Sequence, residues 1–173
     1  MDPSTVFGKI MRIERDGSVP RDNPFPGLPT FALGFADVTG LAFHPRTGAL
    51  YALDRGADGT DELDLVRSGG NFGFPAVEGG PGGGPGTEDP IWDSGEERLD
   101  VSGLVVFTGA QFPEYQGDLF LCSAATGTLK RVRLSGPALD VADWVETIGR
   151  DCRLDLTNGP DGTLYFSDTT QIM

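Results

Sequence analysis

The residues best equipped for chemistry form one acidic run, Asp54-Arg55-Gly56-Ala57-Asp58-Gly59-Thr60-Asp61-Glu62-Leu63-Asp64. Hard cations such as calcium take about six to eight oxygens from carboxylates and backbone carbonyls, and glycine lets a loop turn its carbonyls inward. On residue types alone the run reads either as a cation site or as a solvated acidic loop. It is not an EF-hand, because the spacing and the closing Glu are wrong. The single histidine, His44, stands in the turn Phe43-His44-Pro45-Arg46-Thr47-Gly48 and is expected to be a solvated turn residue. With one histidine, neither a Ser-His-Asp nor a Cys-His nucleophile can be assembled within this chain, and a His-rich zinc site is excluded. Two cysteines, Cys122 and Cys152, each lie beside a repeated strand phrase. They read either as a disulfide stapling neighbouring sheets in an oxidising compartment or as two buried thiols.

The elements that must carry these groups are visible as repeats. The phrase Pro45-Arg46-Thr47-Gly48-Ala49-Leu50-Tyr51-Ala52-Leu53-Asp54 returns as Pro160-Asp161-Gly162-Thr163-Leu164-Tyr165-Phe166-Ser167-Asp168. A looser copy is Pro113-Glu114-Tyr115-Gln116-Gly117-Asp118-Leu119-Phe120-Leu121-Cys122. A second phrase alternates with it: Gly8-Lys9-Ile10-Met11-Arg12-Ile13 matches Gly127-Thr128-Leu129-Lys130-Arg131-Val132. A third copy of that phrase starts at Thr170-Gln171-Ile172-Met173. The spacing of the first phrase, roughly 45 to 70 residues, is that of a propeller blade with loop insertions. The runs 50–53, 119–122 and 164–166 are continuously apolar, which predicts strands buried on both faces. Residues 141–146 read equally as a helical turn or a strand. The expected fold is all-β, a partial β-propeller of about three blades, where closed propellers have about four to eight. Residues 1–173 are expected to form one incomplete propeller domain, with a Gly/Pro-rich insertion at 78–90. That insertion is either a binding loop or a flexible spacer, and it lacks the Gly-Lys-Ser/Thr ending of a phosphate loop.

Composition narrows the function. With 26 Gly, 13 Pro and 38% hydrophobic residues, the chain suits short strands joined by tight turns. A formal net charge of −13 repels phosphate backbones, so no nucleic-acid partner is expected. No apolar run approaches the roughly 20 residues of a membrane span.

Taken together, the motifs resemble those of the soluble quinoprotein glucose/sorbosone dehydrogenases, also called aldose sugar dehydrogenases. The resemblance is carried by Gly8-Lys9-Ile10-Met11-Arg12-Ile13, Asp16-Gly17-Ser18-Val19-Pro20, Asp22-Asn23-Pro24-Phe25 and Gly40-Leu41-Ala42-Phe43. It continues through Asp61-Glu62-Leu63-Asp64-Leu65-Val66, Gly70-Asn71-Phe72-Gly73-Phe74-Pro75 and Ser102-Gly103-Leu104. It ends with Phe112-Pro113-Glu114-Tyr115-Gln116-Gly117-Asp118-Leu119-Phe120 and Gly159-Pro160-Asp161-Gly162, all in family order.

The resemblance implies a six-bladed propeller that uses pyrroloquinoline quinone (PQQ) and calcium, of which this chain looks like the C-terminal half or so. It implies a sugar substrate whose hydroxyl is oxidised by hydride transfer to the quinone, and a secreted or periplasmic location. It also implies the remaining blades of the same polypeptide as a partner. A structural calcium is implied at Glu62 and the backbone carbonyl of Phe72, and a second, quinone-polarising calcium at the carbonyls of Gly56 and Ala57. The quinone grip is not matched. Phe35-Ala36-Asp37-Val38-Thr39 stands where the family has His-Arg-Asn-Pro-Gln, and Leu154 stands where it has Arg, with Arg153 adjacent. The family's base histidine lies in the part not covered here. No catalytic residue is therefore assigned in this chain. The alternative reading is a non-catalytic propeller that serves as a binding module.

Overall fold

The structure, a computed structural model, describes residues 1–80 and 82–169. The phrase Thr170-Gln171-Ile172-Met173 lies outside the described residues. Strands β1 (Lys9–Met11) and β2 (Thr30–Leu33) make a two-stranded sheet. A four-stranded sheet follows, of β3 (Val38–Phe43), β4 (Leu50–Asp54), β5 (Glu62–Val66) and β6 (Trp92–Asp93), paired in chain order. A second four-stranded sheet repeats the pattern with β7 (Val101–Val106), β8 (Leu119–Ser123), β9 (Thr128–Ser135) and β10 (Val141–Arg150). The hairpin of β11 (Leu156–Asn158) and β12 (Leu164–Phe166) comes last. Every pairing between named strands is antiparallel.

Alternation along the central strands explains why the sheets stack. On β4, Ala52 faces a layer with Ile10, Ala32, Phe35 and Phe72, while Tyr51 and Leu53 face a layer with Leu99, Val101 and Leu104. On β8, Leu119 and Leu121 join that second layer, and Phe120 and Cys122 enter a third with Phe107, Leu129 and Leu156. Each sheet thus buries side chains on both faces, about 1.5–3 kcal/mol for each large apolar residue. The expectation of doubly buried strands holds for β4 and β8 but not for β12. There Tyr165 is 42% exposed, because among the described residues no further sheet covers the outer face of that hairpin.

Two glycines at equivalent places let neighbouring sheets close. A Cβ on Gly40 of β3 would lie 2.7 Å from the Leu104 Cβ of β7. A Cβ on Gly103 of β7 would lie 2.8 Å from Leu156 Cδ2, and Gly103 has φ of 57°. Register shifts fall beside both glycines, between Val38 and Gly40 and between Ser102 and Leu104. The two glycines fall in the Gly40-Leu41-Ala42-Phe43 and Ser102-Gly103-Leu104 motifs, where the first strand of one sheet approaches the next. The result is a partial β-propeller of two complete four-stranded blades flanked by two hairpins.

The segment 141–146, open between helix and strand, belongs to β10, where eight residues of β10 find partners along β9. Pairing settles what the local sequence left open. His44 corrects an expectation. It is fully buried, not solvated, with Nδ1 accepting the amides of Arg46 (3.3 Å) and Thr47 (3.4 Å). The ring reaches across to the next blade, where a Cβ on Gly117 would sit 3.0 Å from Nε2. Burial, then the Arg46 charge, lowers its pKa, so the ring is a neutral packing element.

Candidate metal centre

The acidic run divides between the end of β4, a turn, and β5. Antiparallel register sets Asp54 directly opposite Glu62, and Ala52 opposite Asp64. Side chains two apart on a strand share a face. Asp54, Glu62 and Asp64 therefore project from one face of the sheet, while Leu53 and Leu63 between them fill the apolar layer on the other. One carboxylate oxygen from each of the three lies within 4.8 Å of the others. All three are buried: Asp64 is 0% exposed, Asp54 3% and Glu62 5%. The solvated-loop alternative holds only for the tip, where Ala57 and Asp58 are exposed.

The three acids differ in what they touch. Asp54 accepts the amides of Ala36 (2.8 Å) and Asp37 (2.6 Å) and so anchors the turn before β3. Glu62 accepts the amide of Gly79, which brings the start of the Gly/Pro-rich segment over the site. Glu78 accepts the amide of Asp58 (2.9 Å) and ties that segment to the β4–β5 turn. Among the described residues Asp64 has no hydrogen-bond partner on either oxygen. Burial raises the pKa of Asp54 to about 6 and that of Glu62 to about 7, with the neighbouring carboxylates adding to both shifts. The Asp64 carboxyl is pushed well above its usual range by burial, then by Glu62 and Asp54. Desolvating one carboxylate costs several kcal/mol, and three side by side add mutual repulsion. A bound cation reverses both terms. Oxygens on opposite sides of a calcium ion stand about 4.6–5.2 Å apart, the scale of this cluster. The donor set and the orphaned Asp64 oxygens fit a hard cation.

Phe72 lies on the same side of the sheet. It shares the apolar layer with Ala52 and Val66 and stacks on Phe35 at 4.7 Å. Its amide donates to Leu33 (2.9 Å). The carbonyls of Asn71 and Gly73 on either side accept amides of Glu88, Ala76 and Val77, whereas the Phe72 carbonyl accepts none among the described residues. Gly56 and Ala57 lie in the turn between β4 and β5. The Gly56 carbonyl is already engaged by the Gly59 amide (3.2 Å). The acidic run marked in the sequence holds all three carboxylates, and the family resemblance named only Glu62 among them as a ligand. The signal for Asp64 was present in the pairing of Glu62 and Asp64 two apart on one strand.

The positions expected to grip a quinone are occupied otherwise. The amides of Ala36 and Asp37 serve Asp54, and the Asp37 carboxylate pairs with Arg55. Leu154 is 51% exposed. Arg153 donates to the Ala124 carbonyl at 2.5 Å and stands 3.4 Å from Asp168. No guanidinium among these faces a free site for an anionic cofactor, so these residues do not fit PQQ. Cys122 and Cys152 form a disulfide, with Cα atoms 5.0 Å apart. It joins β8 to the segment between β10 and β11. No helix of the described residues is long and apolar enough to cross a membrane.

The sequence and the fold are similar to those of known proteins. The family model described as Glucose / Sorbosone dehydrogenase matches residues 1–171. Aldose sugar dehydrogenase YliI of Escherichia coli is 26% identical over 183 residues, covering 95% of this chain and 48% of its own length. A putative oxidoreductase (glucose dehydrogenase) from Thermus thermophilus superposes with TM-score 0.83 at 32% identity, covering 97% of this chain and 50% of that one. The PQQ-bound form of aldose sugar dehydrogenase from Streptomyces coelicolor superposes with TM-score 0.80 at 30% identity, covering 98% and 48%. The chain spans about half the length of the curated relatives it matches. With the family model matched over residues 1–171, the chain belongs to the glucose/sorbosone dehydrogenase family.

Proposed function

We propose that this chain supplies the blades and a calcium centre of a PQQ-dependent sugar dehydrogenase-like protein, which oxidises a sugar hydroxyl by hydride transfer to the quinone. One calcium is held by the Glu62 carboxylate and the Phe72 carbonyl, and a second by the carbonyls of Gly56 and Ala57. The observation that carries the reading is the buried carboxylate trio of Asp54, Glu62 and Asp64, in which both Asp64 oxygens lack a hydrogen-bond partner among the described residues. The names of the relatives support the reaction class. Groups that grip the quinone come from residues outside this chain, because Ala36, Asp37, Leu154 and Arg153 are apolar or already engaged. The remaining blades of the same polypeptide are its partner. The disulfide supports a secreted or periplasmic location, where such bonds persist.

The test is titration of the 173-residue chain with PQQ and calcium, followed by glucose-dependent dye reduction, in parallel with the complete polypeptide. The expected outcome is calcium binding without turnover by the chain, and turnover by the complete polypeptide. Turnover by the chain alone refutes the external grip. No turnover by the complete polypeptide, with PQQ and calcium supplied, refutes the enzyme reading in favour of a binding propeller.

A further inference from the structure

Among the buried acids, Asp64 is the one whose presence the fold does not explain. Its backbone serves β5, and its side chain points at the same face as Glu62, opposite Ala52, which offers no donor. The neighbouring apolar layer, Phe35, Phe72, Ala52 and Val66, offers none either. Asp54 is accounted for by two amides and Glu62 by one. Asp64 is 0% exposed, neither oxygen is bonded among the described residues, and one of them lies within 4.8 Å of ligand oxygens on both other acids. A buried polar side chain with no partner destabilises the fold, and an asparagine of the same shape would carry no charge at this place.

We propose that Asp64 is a direct ligand of the cation at Glu62, and that Asp54 closes the same shell, so that this chain grips the ion through three carboxylates. The proposal rests on the reading that Glu62 lies in a calcium centre, and it adds ligands to it. Both Asp54 oxygens keep a second lone pair beyond the amide bonds, so Asp54 anchors its turn and faces the ion at once. Three negative ligands raise affinity for a hard divalent ion over a monovalent one, because affinity at such sites follows ligand charge count. Glu62 and Asp64 come from one strand and Asp54 from its partner, so the ion also staples β4 to β5 at the end where the pairing stops.

The test uses calorimetric titration of the EDTA-treated chain with calcium chloride, with thermal melting in EDTA and in calcium. Wild type is expected to bind an ion at this site and to melt higher with it. Glu62→Gln is expected to abolish the shift. Asp64→Asn is expected to weaken binding at least tenfold and to melt higher than wild type in EDTA, since the third acid crowded against Glu62 and Asp54 is gone. These opposite signs separate a ligand from a merely structural residue. Wild type without a calcium response sinks the Glu62 centre itself. A response lost in Glu62→Gln but kept at full affinity in Asp64→Asn leaves that centre standing and sinks the role of Asp64. An Asp64→Asn chain that fails to fold, or melts lower in EDTA, also sinks it.

Discussion

At the scale of single residues, the cation-free chain should be sensitive to pH in a direction fixed by burial. Glu62 and Asp54 are buried, and their folded pKa values, about 7 and about 6, stand above the ordinary 4.5 and 3.8. The folded chain holds these protons more tightly than the unfolded chain. Their contribution to stability is therefore full below the ordinary carboxyl range and is lost as pH rises through about 6 to 7. In EDTA the melting temperature is expected to fall between pH 5 and pH 7.5, roughly the window of the raised groups. In calcium the fall should be suppressed, because the ion replaces the protons. Parallel curves in the two buffers would contradict this account. How much of the site was legible follows from the same residues. Glu62 was marked by its motif and by the acidic run around it. Asp64 stood in the same run, but the run read equally as a solvated acidic loop. Only the neighbouring sheet and the loop around Phe72 turn its carboxylate inward.

At the scale of strands, the second complete blade is clamped by a cation from its own sequence. Arg131 on β9 is 3% exposed and meets Asp118, just before β8, at 2.6 Å and Glu146 on β10 at 2.8 Å. Its guanidinium also covers the Tyr115 ring, 4.0 Å from the centroid. One side chain thus ties three consecutive strands and the loop that precedes them. Arg131→Met leaves Asp118 buried beside an apolar group, and the expected loss is about 3–5 kcal/mol, read from denaturant unfolding. A loss below about 1 kcal/mol would place the pair among weak surface bridges. The repeat phrases placed β4, β8 and β12 correctly, since each apolar core is short and bounded by turn residues. They could not show which Arg would be buried, because Lys130-Arg131-Val132-Arg133 alternates in type but not in sign. Lys130 on the same strand is buried as well and pairs with Glu97 at 3.5 Å, whereas Arg133 is exposed. The difference arises from Asp118 across the sheet.

At the scale of the whole molecule, one side is left apolar. Met11, Ile13, Leu41 and Phe43 are 43%, 61%, 49% and 68% exposed and line a groove of about 620 Å³ beside the first hairpin. Contiguous apolar surface of this kind is a site of association. Phe43→Ser is expected to lower binding of a hydrophobic dye and self-association at high concentration, while changing folding stability by less than about 0.5 kcal/mol. Unchanged dye binding would show that the groove is not the exposed patch that matters. The sequence indicated an open arc from its blade count, but the side carrying the uncovered patch came only from the stacking order.

The covalent bridge between Cys122 and Cys152 bears on how this arc comes apart. It fastens the interior of one blade to the short link from which the final hairpin springs. If that hairpin peels away, it does so as a flap on a leash, held within a few residues of its berth. Its return is a local event with little loop-closure entropy to overcome. Reduction moves the tether point back only from Cys152 to the end of β10 at Arg150, so the hairpin keeps a short link to its blade.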